Sequence, residues 1–191
     1  MPTLLTHMPH NTPFNTFHSD CFSPEYFLQD APIVAPALLG CTLVRRFPEG
    51  HLVYATITET EAYMPDDPAC HAFSGPTARN ASMFLPGGHA YVYLIYGMYY
   101  CLNVVTGPAG SGQAVLLRAA RIDGTPVKMT QGPGRLCRFL EINRAFDGIN
   151  LMDPTSLLFL RPGTATPPLY KTTPRIGIRK NAHVLWRFVM L

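Results

Sequence analysis

Between residues 41 and 120 the chain falls into short runs of β-branched, aromatic and aliphatic residues divided by tight turn signals, and the shortness of those divisions restricts its fold more than anything else. Residues 41–47 and 52–62 flank Pro48-Glu49-Gly50-His51, a turn that joins neighbouring strands as a hairpin. Residues 90–95 and 99–106 are divided by a turn around Gly97, and Gly107-Pro108-Ala109-Gly110-Ser111-Gly112 leads straight into residues 113–120. Parallel strands need a crossover of roughly a dozen residues or more, so connections this short dictate antiparallel pairing. Helical signals lie outside this block. Ser23-Pro24-Glu25 opens a short helix, Asp30 caps a second that Pro36 shortens and Gly40 ends, and Pro133 opens a third with Leu136, Phe139 and Leu140 on one side. A last strand is expected at residues 186–190. Without an internal repeat, the pattern predicts a single α+β domain over residues 22–191 with a mostly antiparallel sheet. Residues 1–21 show no sustained period and read as a flexible leader.

Hydrophobic residues make up 47% of the chain and charged residues 14%, enough for a sizeable core. The formal charge of +3 tolerates a polyanionic partner without demanding one. Five scattered cysteines without a Cys-x-x-Cys pair fit neither a disulfide framework nor a zinc ribbon; reduced thiols in an intracellular protein are the simpler reading. The leader has no basic start or apolar run of a signal peptide, and the apolar stretch at residues 90–100 is broken by Gly97, so no membrane span is expected. His7 and His10 sit in the polar leader, and no metal or other cofactor is expected.

Strand periodicity places Val53, Ala55, Ile57, Glu59, Glu61 and Tyr63 on one face, so the two carboxylates follow the apolar residues towards the core. A carboxylate carried inward costs several kcal/mol unless it is paired, hydrogen-bonded or protonated. Such a position suits a general base or acid, and equally a salt-bridged structural glutamate. Tyr91, Tyr93, Tyr96, Tyr99 and Tyr100 crowd the next hairpin. Core packing is the default for such a stripe, but Tyr96 stands before Gly97 at the turn, where an exposed ring can stack on or wedge between bases. Asn103 and Arg118 interrupt apolar strands, with Arg118 a candidate partner for Glu61. Arg79-Asn80 lies in a Gly/Pro-bounded loop, a solvated stretch or a grip for phosphate.

Together, Glu59-Thr60-Glu61-Ala62-Tyr63, Ala69-Cys70-His71, Arg79-Asn80, Met83-Phe84, Tyr91-Val92-Tyr93-Leu94-Ile95-Tyr96-Gly97-Met98, Cys101-Leu102-Asn103 and Leu116-Leu117-Arg118 closely resemble the alkyladenine (3-methyladenine) DNA glycosylases of the mammalian type. Gly132-Pro133-Gly134-Arg135-Leu136-Cys137, Asn143 and Pro174-Arg175-Ile176-Gly177-Ile178 continue the similarity over roughly residues 22–191. The resemblance implies a curved sheet with peripheral helices, and an enzyme of base excision repair. It would flip alkylated or deaminated purines out of damaged double-stranded DNA and hydrolyse the N-glycosidic bond, leaving an abasic site. By that similarity Glu61 activates the water and Arg118 holds Glu61. Tyr63, His71, Tyr93 and Asn103 form the base pocket, with Asn103 rejecting guanine, and Tyr96 enters the duplex. Arg79, Asn80, Arg135 and Arg175 are expected along the DNA backbone. Lys128, Lys171 and Lys180 fall in loop-like regions outside the pocket, which predicts a monofunctional enzyme without strand cleavage. A monomer suffices. Two departures stand out: the connection from Arg118 to Gly132 is shorter than in the mammalian members, and Arg135 replaces an expected lysine. The rival readings are a carbohydrate glycosidase using Glu59 and Glu61, and a non-catalytic nucleic-acid-binding module using the tyrosines as a stacking platform.

Overall fold

The structure, a computed structural model, describes residues 21–164, 166 and 168–191. The leader expected over residues 1–21 therefore lies, apart from Cys21, outside the described residues. The chain enters through two short helices, α1 (Pro24–Phe27) and α2 (Ala31–Ala37), each with proline in its first turn. There the missing N–H is harmless and the fixed φ suits the helix. Asp30 stands at the N-cap of α2, but its side chain does not cap. Gln113 does so instead: its Oε1 accepts the Ala31 N–H at 2.8 Å while its Nε2 donates to Asp30 Oδ1 at 3.1 Å.

Strands β1 (Thr42–Arg46), β2 (Leu52–Tyr63), β3 (Ala90–Ile95), β4 (Tyr99–Thr106) and β5 (Gln113–Arg121) appear where the turn signals place them. Helix α3 (Pro133–Phe139) follows, then β6 (Leu158–Arg161), β7 (Tyr170–Thr173) and β8 (Arg187–Met190). All pairings are antiparallel, in the order β3-β4-β5-β2-β1-β6, and the sheet curls into a half-barrel. The long β2 is its axis. One edge pairs with β5, while the opposite edge is shared, first by β1 against residues 52–56 and then by β8 against residues 59–61. β7 and β8 thereby close over the end of β2 that carries Glu59 and Glu61. Lys171, expected in a loop, lies on β7.

The single face expected for Val53 through Tyr63 is not what forms. The β2–β5 register shifts on both sides of Glu59: Ile57 pairs Ala120, Glu59 pairs Ala119 and Thr60 pairs Leu117. Thr58 and Arg118 are the residues passed over, and each unpaired residue reverses the side-chain alternation beyond it. Ala55 and Ile57 thus share the main core with Ala62, and the Thr60 hydroxyl donates to Ala35 O of α2 at 2.8 Å. Glu59, Glu61 and Tyr63 turn to the opposite face. The main core, with Phe27, Leu38, Leu102, Leu117, Leu136 and Leu158, lies between the sheet and the helices. A smaller cluster of Cys70, Ala72, Met83, Tyr91, Val105 and Ala114 covers the other face beside Tyr63 and Tyr93.

Candidate active site

On that second face Tyr91, Asn103, Leu116 and Glu61 form one row across β3, β4, β5 and β2, each paired in register with the next. Neighbouring strands lie about 4.8 Å apart, so the row is a rigid floor rather than a set of loop residues. Above it opens a cavity of about 660 Å³, whose walls include Tyr63, His71, Tyr91, Tyr93, Asn103 and Arg118. Its far side is made by Ile176-Gly177-Ile178 and by the entry to α3, Gly132 to Arg135. Gly134 packs closely there: a Cβ would meet that of Tyr99 at 3.0 Å, so the Tyr99 side chain would have to give way.

Glu61 lies directly behind this wall and has no solvent exposure. Its Oε2 accepts the Tyr63 hydroxyl at 2.9 Å and Arg118 Nη1 at 3.2 Å; its Oε1 accepts the Ile176 backbone N–H at 2.8 Å. All three partners are donors, so both oxygens act as acceptors, and Oε1, with a single donor, keeps a lone pair. Arg118 also reaches Glu59: its Nε lies 3.2 Å from Glu59 Oε1, which Arg187 Nε approaches at 2.6 Å. Two carboxylates face two guanidiniums, which is how a low-dielectric site holds charge without prohibitive desolvation. Burial, and then the charge of Glu61, push the Tyr63 phenol far above its usual range, so it stays a donor.

The aromatic wall is equally fixed. His71 Nδ1 lies 2.9 Å from the Tyr91 hydroxyl and its ring meets Tyr93 edge-on at 4.5 Å. Tyr91 and Tyr93 stack at 5.4 Å. Burial raises the Tyr91 phenol to about 12, while burial and then Arg79 lower His71, so a neutral imidazole faces a protonated phenol. Asn103 is buried and donates from Nδ2 to Tyr91 O at 2.9 Å. Cys70 is buried and its thiol is raised to about 11, an inert neighbour.

Tyr96 is 82% exposed at the cavity mouth, with Met98 and Tyr99 beside it. It and Gly97 both have positive φ, 53° and 70°, and Met98 N–H closes the turn onto Ile95 O at 3.2 Å. Ile95 pairs Tyr99, so this turn sits within a three-residue hairpin connection, Tyr96 to Met98. A bulky ring at its first central position costs about 1–2 kcal/mol, strain of the kind retained at working surfaces.

The four residues expected along a DNA backbone separate. Arg79 is exposed, with Nη2 on Leu94 O at 3.0 Å; Arg135 is exposed on the cavity rim. Asn80 is buried and its side chain is committed inside its loop, to His71 O, Gly75 O and Thr77, leaving nothing for a phosphate. Arg175 is buried too, paired with Asp67 at 2.5 Å and lying over the Tyr63 and Trp186 rings, so it is not a backbone contact. Sequence reasoning missed the Ile176 amide, Arg187, Tyr91 as a site residue, and Asp67. Tyr91 was detectable as the period-two companion of Tyr93, and Arg187 as a charge interrupting an apolar strand. A backbone N–H leaves no such mark.

Among the described residues, no group of three or more His, Cys, Asp or Glu side chains converges as a metal site, and no helix is long and apolar enough to cross a membrane. A family model described as methylpurine-DNA glycosylase matches residues 25–191. A Herpetosiphon aurantiacus protein named "Putative 3-methyladenine DNA glycosylase" is 40% identical over 190 residues, covering 90% of this chain and 86% of the relative. Proteins of the same name from Synechococcus elongatus and Rickettsia felis are 46% and 42% identical, covering 85% and 87% of this chain and 83% and 90% of theirs.

Proposed function

Because the chain belongs to the methylpurine-DNA glycosylase family, it is a DNA glycosylase, a hydrolase acting on damaged bases in base excision repair, and we propose how its cavity does that work. The observation that carries the reading is Glu61: a fully buried carboxylate with three donors and a spare lone pair, set against an aromatic cavity. A base inside a duplex cannot present its sugar to such a group, so the damaged purine is turned out into the cavity at a cost of about a few kcal/mol. Stacking between Tyr63, His71 and Tyr93 offsets that cost at about 1–3 kcal/mol per base, and Tyr96 enters the space left in the duplex.

A water admitted beside Arg118 and Tyr63 gives its proton to Glu61 as its oxygen attacks C1′. The electrons of the N-glycosidic bond leave with the purine. A neutral lesion departs as its anion and takes its proton from solvent, so the products are a free base and an abasic site. A cationic alkylpurine leaves without further help, since departure neutralises it. Asn103, tied to the β3 backbone, gives the cavity a fixed polar group that excludes the exocyclic amine of guanine. Among the described residues no lysine lines the cavity, which favours hydrolysis by water over strand cleavage through an amine. Arg135 on the rim and the exposed Arg79 are the cations offered to phosphates. Every proposed group comes from one chain, so a monomer suffices, acting inside the cell where the DNA is. A two-carboxylate sugar glycosidase is disfavoured because Glu59 and Glu61 share Arg118 instead of facing each other across a cleft.

The direct test is incubation of purified protein with duplexes carrying hypoxanthine, ethenoadenine or 3-methyladenine, followed by alkali. Strand breaks that appear only after alkali support the reading. No excision of any alkylated or deaminated purine refutes it, and breaks without alkali refute its monofunctional part.

A further inference from the structure

Glu61 depends on a backbone donor, and what fixes that donor lies outside the cavity. The residue before Ile176 is Arg175, 4% exposed, and it is held on four sides. Its Nη1 lies 2.5 Å from Asp67 Oδ2 and donates to Ala62 O at 2.9 Å. Its guanidinium sits 4.6 Å from the Tyr63 ring centre and 5.3 Å from that of Trp186. Asp67, 1% exposed, uses Oδ1 to accept the Ala69 N–H at 3.0 Å and Asn181 Nδ2 at 3.2 Å. One ion pair thus ties the loop carrying His71 to the segment carrying Ile176, and on the way touches the two residues that follow Glu61: Ala62 at its carbonyl and Tyr63 at its ring.

We infer that Asp67 and Arg175 form a positioning clamp for excision, setting the Ile176 amide and the Tyr63 hydroxyl on Glu61 without themselves touching substrate. A buried ion pair is weak as a source of stability, because desolvation offsets attraction, but its geometry is exacting. The planar guanidinium reaches a carboxylate, a carbonyl and two ring faces at once, which an ammonium cannot reproduce. Misplacement by about 1 Å can cost roughly 10²-fold in rate, so a clamp behind the base has a kinetic signature distinct from a structural prop. The inference rests on Glu61 being the base.

The experiment compares wild type, Arg175→Lys, Asp67→Asn, Arg175→Ala and Glu61→Gln. Single-turnover excision is measured at saturating enzyme, with Kd for the same damaged duplex and circular dichroism for the folded fraction. Arg175→Lys and Asp67→Asn are expected to lose about 10–10²-fold in rate with Kd unchanged. In Arg175→Ala, added methylguanidinium should refill the site and restore rate, and it should do nothing for Glu61→Gln. Trp186, the sole tryptophan, should report Arg175→Lys by a changed emission. Wild-type rates in both conservative variants would overturn the clamp, as would a deficit that follows only the unfolded fraction and resists methylguanidinium. Should Arg175→Ala not fold, the two conservative variants decide the matter alone. An active Glu61→Gln would instead sink the reading of Glu61, whereas an inactive Glu61→Gln beside fully active clamp variants sinks only this inference.

Discussion

The two faces of strands β2 to β5 are built from alternating residues of the same segments, yet they do opposite things. One presents Ile57, Ala62, Val92, Leu102, Val115 and Leu117 to the helices, an aliphatic layer in which the Thr60 hydroxyl is met by Ala35 O. The other presents Glu61, Tyr63, Tyr93, Asn103 and Arg118, where nearly every side chain has a named polar or aromatic partner. The aliphatic face supplies stability in bulk and tolerates imprecision, while the polar face is worth little as stability and is specified atom by atom. The register shifts around Glu59 keep the two apart, sending Thr60 to α2 and Glu61 to the cavity.

Adjacent residues on β5 break this contrast most sharply. Arg118→Met strips the shared cation from two buried carboxylates and is expected to cost about 3–5 kcal/mol in urea unfolding, with excision lost as well. Leu117→Ala, one residue away on the other face, should cost about 2–5 kcal/mol by opening a core cavity, yet leave excision per folded molecule unchanged. Loss of excision in folded Leu117→Ala would show that the faces are not separable. Tyr96→Gly should weaken damaged-duplex binding by about 1–3 kcal/mol in a titration while raising Tm, since the positive φ no longer opposes a side chain. The smallest effect belongs to His71. Its lowered value means that the neutral ring is favoured on folding, so stability linked to it is complete above its ordinary 6.5 and is lost as pH falls through the lowered value. The stability gap between wild type and His71→Gln should therefore shift against the wild type as the pH is lowered from 7 to 5, as read by urea midpoints.

Much of this architecture is legible in the sequence. Pro48-Glu49-Gly50-His51 and Tyr96-Gly97 announce their hairpins, and Pro24 and Pro133 their helices, because those residues act through local backbone geometry. β6 and β7 are not legible: four residues each, they are strands only because β1 and β8 pair with them. The reversal at Thr58 is hidden for a different reason. From Glu59 to Ala62 β2 is buried on both faces, so burial no longer marks which side a residue takes. Arg175 illustrates a third limit. Its positive charge suggests phosphate, and only the fold reveals Asp67 waiting inside. Asn80 fails as a phosphate ligand likewise, since its loop consumes the amide.

Glu59 and Glu61 put the account to its most direct test, being two buried glutamates on one strand joined through one arginine. Single-turnover excision of hypoxanthine or 3-methyladenine by Glu61→Gln and Glu59→Gln, with duplex Kd measured alongside, separates them. Glu61→Gln should lose about 10²–10⁴-fold in rate while still binding damaged duplex, and Glu59→Gln should keep most of its activity. Excision by Glu61→Gln at close to the wild-type rate would show that Glu61 is not the base.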